Sequence, residues 1–208
     1  MKKSAPNLKF VFSMLVFVIA CGVEPAQANL TPYTGEPPNS ISSLSATDRQ
    51  KLERNDPVKL NVTSDGGTVV FRVNASPATV WGVIRDFGQY PNRVPYVKST
   101  TVTTVGEHVD VDFVVGNWMA DVRYSIDHYF PAGKMWVTWT LNKAKPSSQV
   151  TDTIGYWRVD PVPGNPDKSN VTYSIATVLT SLGRFARGLL GSDELLTATQ
   201  WLRQASET

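Results

Sequence analysis

Cysteine and histidine are nearly missing from this chain. Of its 208 residues, one is cysteine and two are histidine. A single thiol forms no internal disulfide, so the fold must be held by a core. It also excludes a cysteine-ligated zinc cluster, and His108 and His128 do not have metal-ligand spacing. Neither a Gly-rich phosphate loop nor a nucleophile elbow is present. The sequence therefore predicts no metal, no cofactor and no catalytic residue.

A long hydrophobic run is lacking too. Phe10 to Val23 is an apolar stretch of fourteen residues, short of the about 20 that a membrane-spanning helix needs. Lys2, Lys3 and Lys9 lie before or at its start, and Glu24-Pro25-Ala26-Gln27-Ala28 follows it, ending in Ala-x-Ala. That order is the one of an export signal. Residues 1–28 are expected to be a signal peptide, placing the protein in the periplasm or outside the cell after cleavage at Ala28. An alternative cleavage lies at Val18-Ile19-Ala20-Cys21, which resembles a bacterial lipoprotein box and would leave the chain lipid-anchored through Cys21.

Charge of one sign is scarce. The net charge is +2, and the signal segment carries all of it, so the remaining 180 residues are neutral. Nothing electrostatic points to nucleic acid. One domain is expected, large enough for a sizeable core and monomeric.

What is present is patterning. Residues 29–57 read as a flexible arm rich in Pro, Ser and Thr, with a short helix begun by Ser45 to Asp48 and stopped by Pro57. From residue 58 to 208 the period changes. Val58, Leu60 and Val62 alternate with polar residues, and Thr68 to Val73 is a second strand. Ser76-Pro77 starts a helix carrying Val80, Trp81, Ile84 and Phe87, and the Tyr90-Pro91 and Val94-Pro95 pairs are expected to turn the chain extended. From Val97 to Leu179 nearly all is strand, with turns at Gly116-Asn117, Pro131 to Gly133 and Pro161 to Asn170. Such a meander has one dry and one wet face. Leu182, Phe185, Ala186, Leu189 and Leu190 form an apolar helical stripe. Gly191 interrupts it, and Ser192 is placed to cap a segment with Leu195, Ala198, Thr199 and Leu202 on one face and Trp201 beside them.

The aromatics carry the functional signal. Six tryptophans in one domain is many, and by strand parity Phe113, Tyr124, Ile126, His128, Trp139, Trp157 and Tyr173 point inward, with Phe185 and Leu189 closing over them. These nine are the candidate lining of a hydrophobic cavity between sheet and terminal helix. His128 reads either as a ligand-facing group or as a partly wet strand-end residue at the mouth. Asp110 and Asp112 read as solvated charges on the wet face.

The stretch Ser76-Pro77-Ala78-Thr79-Val80-Trp81, followed by Asp86, Tyr90-Pro91 and Val94-Pro95, resembles the first helix of START-like (SRPBCC superfamily) proteins, the coenzyme Q-binding and polyketide cyclase branch in particular. The Gly155-Tyr156-Trp157-Arg158-Val159 strand and the terminal amphipathic helix fit that resemblance, which spans about Val58 to Ser206. It implies an α+β helix-grip fold. A curved antiparallel sheet of about six to seven strands would wrap around a long C-terminal helix, with a short helix after the first strand. It also implies a cavity for a hydrophobic small molecule such as a lipid, quinone or polyketide, and admits contact with a membrane. The expected function is non-enzymatic binding or transport outside the cytoplasm. Two alternatives stand: a cyclase or dehydratase-type enzyme using His128, Tyr124 and Tyr173 in the same cavity, and a protein-interaction module with a filled core.

Overall fold

Apolar and polar residues alternating through the middle of the chain become antiparallel strands in the computed structural model, which describes residues 29–118, 121–147, 149–181, 183–184 and 193–208. The strands are β1 (Val58–Leu60), β2 (Gly66–Val73), β3 (Val97–Val105), β4 (His108–Gly116), β5 (Asp121–Tyr129), β6 (Trp136–Leu141), β7 (Val150–Val162) and β8 (Asn165–Leu179). The helices are α1 (Ala46–Glu53), α2 (Pro77–Arg85), α3 (Tyr90–Arg93) and α4 (Glu194–Ser206). All the strands join one sheet in the order β1-β2-β8-β7-β6-β5-β4-β3. Eight strands stand where six to seven were expected. The three-residue β1 is a separate edge strand, so the first helix of the START-like pattern, α2, follows the second strand rather than the first.

Caps set the helix starts. Ser45 Oγ accepts from Asp48 N at 3.1 Å, and Ser76 Oγ accepts from Thr79 N at 3.2 Å with Pro77 opening the helix. Three expectations are corrected. The Tyr90-Pro91 pair does not leave helix: a 3₁₀ turn at Phe87–Gln89 runs straight into α3, where Pro91 sits in the first turn and loses no hydrogen bond. The turn expected over Pro161 to Asn170 shrinks to Pro163-Gly164. Gly164 takes φ 73° there, and polar Asn165 to Asn170 continue as strand. Asp193, not Ser192, caps α4: its Oδ1 accepts from Leu196 N at 3.2 Å. Ser192 lies outside the described residues, as do the expected signal segment, Cys21, Phe185 and Leu189.

The core lies between the sheet and the helices. Val69, Phe71, Val73, Val111, Val137 and Val171 from the sheet meet Val80 and Ile84 of α2 and Leu202 of α4, all fully buried. Arg203 of α4 locks onto the sheet edge, donating to Arg72 O and Asn55 O at 2.8 Å each. No helix among the described residues is long and apolar enough to cross a membrane.

The second face of the sheet is only partly wet. Residues 29–44, expected to be a flexible arm, run across the outer side of β7. Leu30 N donates to Asp152 Oδ2 at 2.9 Å, and Arg158 Nη1 donates to Glu36 Oε1 at 2.7 Å and to Pro37 O at 3.1 Å. Tyr33 meets Tyr156 edge-on at 4.9 Å. Leu44 and Leu52 of the arm and α1 bury Val58 and Val70 in a second small cluster. Farther along, the outer face is half-buried, and Asp110 and Asp112, expected to be solvated charges, are paired: Lys145 bridges them, with Ser125 donating to Asp112. Arg158 is the arm's main polar anchor. A charged hydrogen bond is worth about 1.5 kcal/mol or more, so Arg158→Ala should speed proteolytic cleavage within residues 29–44 by about tenfold. Limited proteolysis with mass mapping reads this.

Candidate functional site

A curved sheet meeting one helix does not close completely, and here the gap is a cavity of about 260 Å³. Small-molecule sites run roughly 300–1,000 Å³, so this one suits a ring system or a single acyl chain. Phe113, Tyr124, Ile126, His128, Trp139, Trp157 and Tyr173 all line it. Strand parity and register bring them together. Phe113 pairs with Tyr124 across β4 and β5, His128 with Trp139 across β5 and β6, and Trp157 with Tyr173 across β7 and β8.

The rings pack on one another. Phe113 stacks on Tyr124 at 5.6 Å and Trp139 on Tyr173 at 5.8 Å, while Trp157 and Tyr173 are 4.2 Å apart. Stacked and tilted pairs of this kind are favoured arrangements of aromatic rings.

Trp139 reaches its place because Gly155 faces it. A Cβ at Gly155 would lie 2.1 Å from Trp139 Cζ2 and 2.3 Å from Ser174 O. The indole therefore lies over bare backbone. Its Nε1 is buried without a hydrogen-bond partner among the described residues.

His128 is neither wet nor at a strand end exposed to solvent. It is 5 % exposed and caged by Phe87, Phe113, Phe130 and Trp139 at 4.6, 6.4, 6.2 and 6.1 Å. Burial among these rings pushes its pKa down to about 4, against the upward pull of carbonyl contacts from Val109 and Ile126 and of Asp110. The ring is neutral at pH 7. Its Nδ1 lies 3.2 Å from Val109 O, and since a carbonyl only accepts, Nδ1 carries the proton and Nε2 is the bare acceptor. Burial raises the Tyr124 and Tyr90 phenols, so both stay protonated. Tyr90 spends its proton on Ile84 O at 2.7 Å.

Sequence reasoning misses part of the wall. Phe87 and Tyr90 enter from the turn after α2, and Trp201 enters from α4, 5.3 Å from Tyr90 and 6.0 Å from Trp157. Phe87 stands in the helical apolar spacing and Trp201 beside the helix stripe, but neither pattern says that the two segments converge. Thr153, Thr177, Thr197 and Glu194 add polar groups to the lining, and Thr153 Oγ1 already donates to Ala176 O at 3.1 Å. Thr153 escapes the parity reading because β7 begins at Val150, not near Gly155. Among the described residues no group of three or more His, Cys, Asp or Glu could hold a metal ion.

This architecture has relatives of known structure. The Zhui aromatase/cyclase from Streptomyces sp. R1128 is 12 % identical, over 67 % of this chain and 92 % of that one, with a TM-score of 0.57. A START superfamily protein from Mycobacterium smegmatis is 16 % identical over 69 % and 98 %, with a TM-score of 0.56. The STAR-related lipid transfer protein from Xanthomonas axonopodis is 14 % identical over 73 % and 93 %, with a TM-score of 0.55. At these identities the likeness is one of fold. No protein of curated function matches the sequence. The family model described as polyketide cyclase / dehydrase and lipid transport matches residues 65–201. Those residues hold every strand of the cavity wall and most of α4, so the chain, with its START-like helix-grip fold, belongs to the polyketide cyclase / dehydrase and lipid transport family.

Proposed function

We propose that this protein is a non-enzymatic carrier that binds one apolar small molecule, a ring system or acyl chain, in the cavity between sheet and α4, and does so outside the cytoplasm. The observation carrying this reading is the lining: mostly aromatic and aliphatic walls around an open space. A filled-core interaction module would have that space packed. A ligand burying about 300 Å² of apolar surface there gains roughly 7 kcal/mol before the costs of association. The few polar groups set orientation: His128 Nε2 accepts, and the Tyr124 hydroxyl can donate.

The direct test is native mass spectrometry of the protein purified from its own envelope. A co-purifying apolar molecule is expected. Ligand-free protein with no affinity for quinones or fatty acids would overturn the reading. Ala198 of α4 is buried and lines the cavity. Ala198→Phe should fill the space and weaken ligand binding by at least about tenfold, with unfolding by denaturant confirming that the variant is folded.

Export is part of the proposal. It is supported by the order of lysines, apolar stretch and small-x-small site. N-terminal sequencing of the mature protein decides between Asn29 and lipidated Cys21.

One observation favours a second reading. His128, Tyr124 and Tyr173 converge on the same cavity, as a cyclase-type enzyme would need. Turnover of a bound polyketone by the wild type, lost in His128→Gln while binding persists, would establish it.

A further inference from the structure

The two edges of the sheet are built differently. β1 ends one side and is three residues long, while β3 ends the other with nine. Among the described residues no strand pairs the outer edge of β3. Proteins blunt long edges with proline, charge or a cover, because a row of unpaired N–H and C=O groups recruits another strand. The run from Ser99 to Val105 carries neither proline nor charge: it reads Ser-Thr-Thr-Val-Thr-Thr-Val, and threonine and valine favour strands. Thr101 to Val105 are all exposed, Val105 at 73 %. The one charged residue of β3, Lys98, lies before this run and is held by Asn117 O and Asp121.

Which groups face out follows from the hairpin. Val105 and His108 close a two-residue turn in which Gly106 takes φ 62°. Those two residues bond each other, and so do the alternate pairs of Thr103 and Thr101 with β4. Thr104, Val102 and Thr100 then turn their N–H and C=O outward. Around Val102 the order Thr100-Thr101-Val102-Thr103-Thr104 reads the same in both directions. An antiparallel strand of the same sequence, turned about a two-fold axis at Val102, sets Val102 against its own copy, Thr101 against Thr103 and Thr100 against Thr104. Such Thr–Thr and Val–Val neighbours support a sheet, and no like charges meet.

We propose that β3 is a dimer interface, at which two copies of this chain pair edge to edge and join their sheets into one. Each outward residue gains a partner for its N–H and its C=O. The assembly closes at two, because both copies spend the same strand on the contact. An unrelated extended peptide finds no such matching order. One strand pair is a small interface, so the dimer should dissociate on dilution. It departs from the monomer expected of the sequence, and it holds whatever the cavity carries.

The test is analytical ultracentrifugation of protein purified from its own envelope, from about 1 μM to about 1 mM, with amide hydrogen exchange at both ends of the series. Wild type should pass from monomer to dimer. The Thr100, Val102 and Thr104 amides should slow by about tenfold as it does, while those of Thr101 and Thr103, already bonded to β4, stay as they were. Val102→Pro removes an outward N–H and no bond to β4, so it should be folded and monomeric. Val102→Lys sets two like charges opposite each other and should weaken association at least about tenfold, less so at high salt. This second variant decides the matter even where proline disturbs the fold. Wild type that stays monomeric throughout would overturn the proposal. So would a dimer that forms equally well with Val102→Lys, growth past two copies, or association that leaves the Val102 amide unprotected.

Discussion

Gly155→Ala is expected to destabilise the protein and spoil its cavity wall with a single methyl. The added carbon meets Trp139 Cζ2 at 2.1 Å on one side and Ser174 O at 2.3 Å on the other. The second contact is backbone of the neighbouring strand β8, which cannot rotate away as a side chain can. Either β7 and β8 part, or the indole leaves its place and the cavity wall collapses. Overpacking of this kind costs about 3 kcal/mol or more, which lowers Tm by roughly 10 °C in a domain of this size. Calorimetry or denaturant unfolding reads the loss. Ligand binding should fall with it, because Trp139 and its stacked partner Tyr173 form one wall. Adding Trp139→Ala to the variant should recover only part of the stability. It removes the clash with the ring and leaves the one with Ser174 O, so the two substitutions will be non-additive. A Gly155→Ala protein as stable as wild type would show that the indole does not lie over Gly155.

The second large effect is a dependence of stability on pH. His128 titrates at about 4 in the folded protein against 6.5 when free. Between these values the unfolded chain binds a proton that the folded chain refuses, so stability rises with pH across the window and falls as pH drops from 6.5 to 4. The lowered pKa means the stabilising contribution is present above pH 6.5 and is lost on acidification. For a fully buried ring the loss is about 3 kcal/mol. Unfolding by denaturant at a series of pH values measures it. His128→Phe keeps a planar ring among Phe87, Phe113 and Phe130 and should flatten the curve in this window. Ion-paired carboxylates add their own decline at lower pH. Asp112, held down by Lys145 and Ser125, and Asp193, held down by Lys59, lose their partners' benefit only when protonated. The His128 contribution is thus the part that a His128→Phe difference curve isolates. A difference curve that is flat from pH 4 to 6.5 would mean that His128 is reached by water.

Much of the cavity wall is legible in the amino-acid order. The period of two along β4, β5 and β6 tells which side chains share a face, because successive residues on a strand point to opposite sides. That is why parity alone groups Phe113, Tyr124, Ile126, His128, Trp139, Trp157 and Tyr173 together. Capping residues mark helix starts through local hydrogen bonds, so Ser45 and Ser76 are readable in place. Proline is less reliable. Pro91 reads as a helix stop, yet it opens the first turn of α3, where its missing N–H costs nothing.

The segments that resist reading depend on distant partners. The arm has no apolar period of its own, and it is ordered by Asp152, Tyr156 and Arg158 from a strand more than a hundred residues away. Phe87, Tyr90 and Trp201 lie on short helices whose patterns show a buried face but not what they bury against. Their approach to His128 and Trp157 is set by how the 3₁₀ turn and α4 cross the curved sheet.

By itself, then, the sequence determined the fold class, the starts of α1 and α2 and the inward set of the sheet. These follow from periodicity and capping, which act over a few residues. Only the tertiary structure decided that the inward set surrounds open space rather than a filled core, that Gly155 must lack a side chain for Trp139 to lie flat, and that His128 is dry. Each of those turns on the distance between two strands or between sheet and helix, and no local pattern encodes that distance.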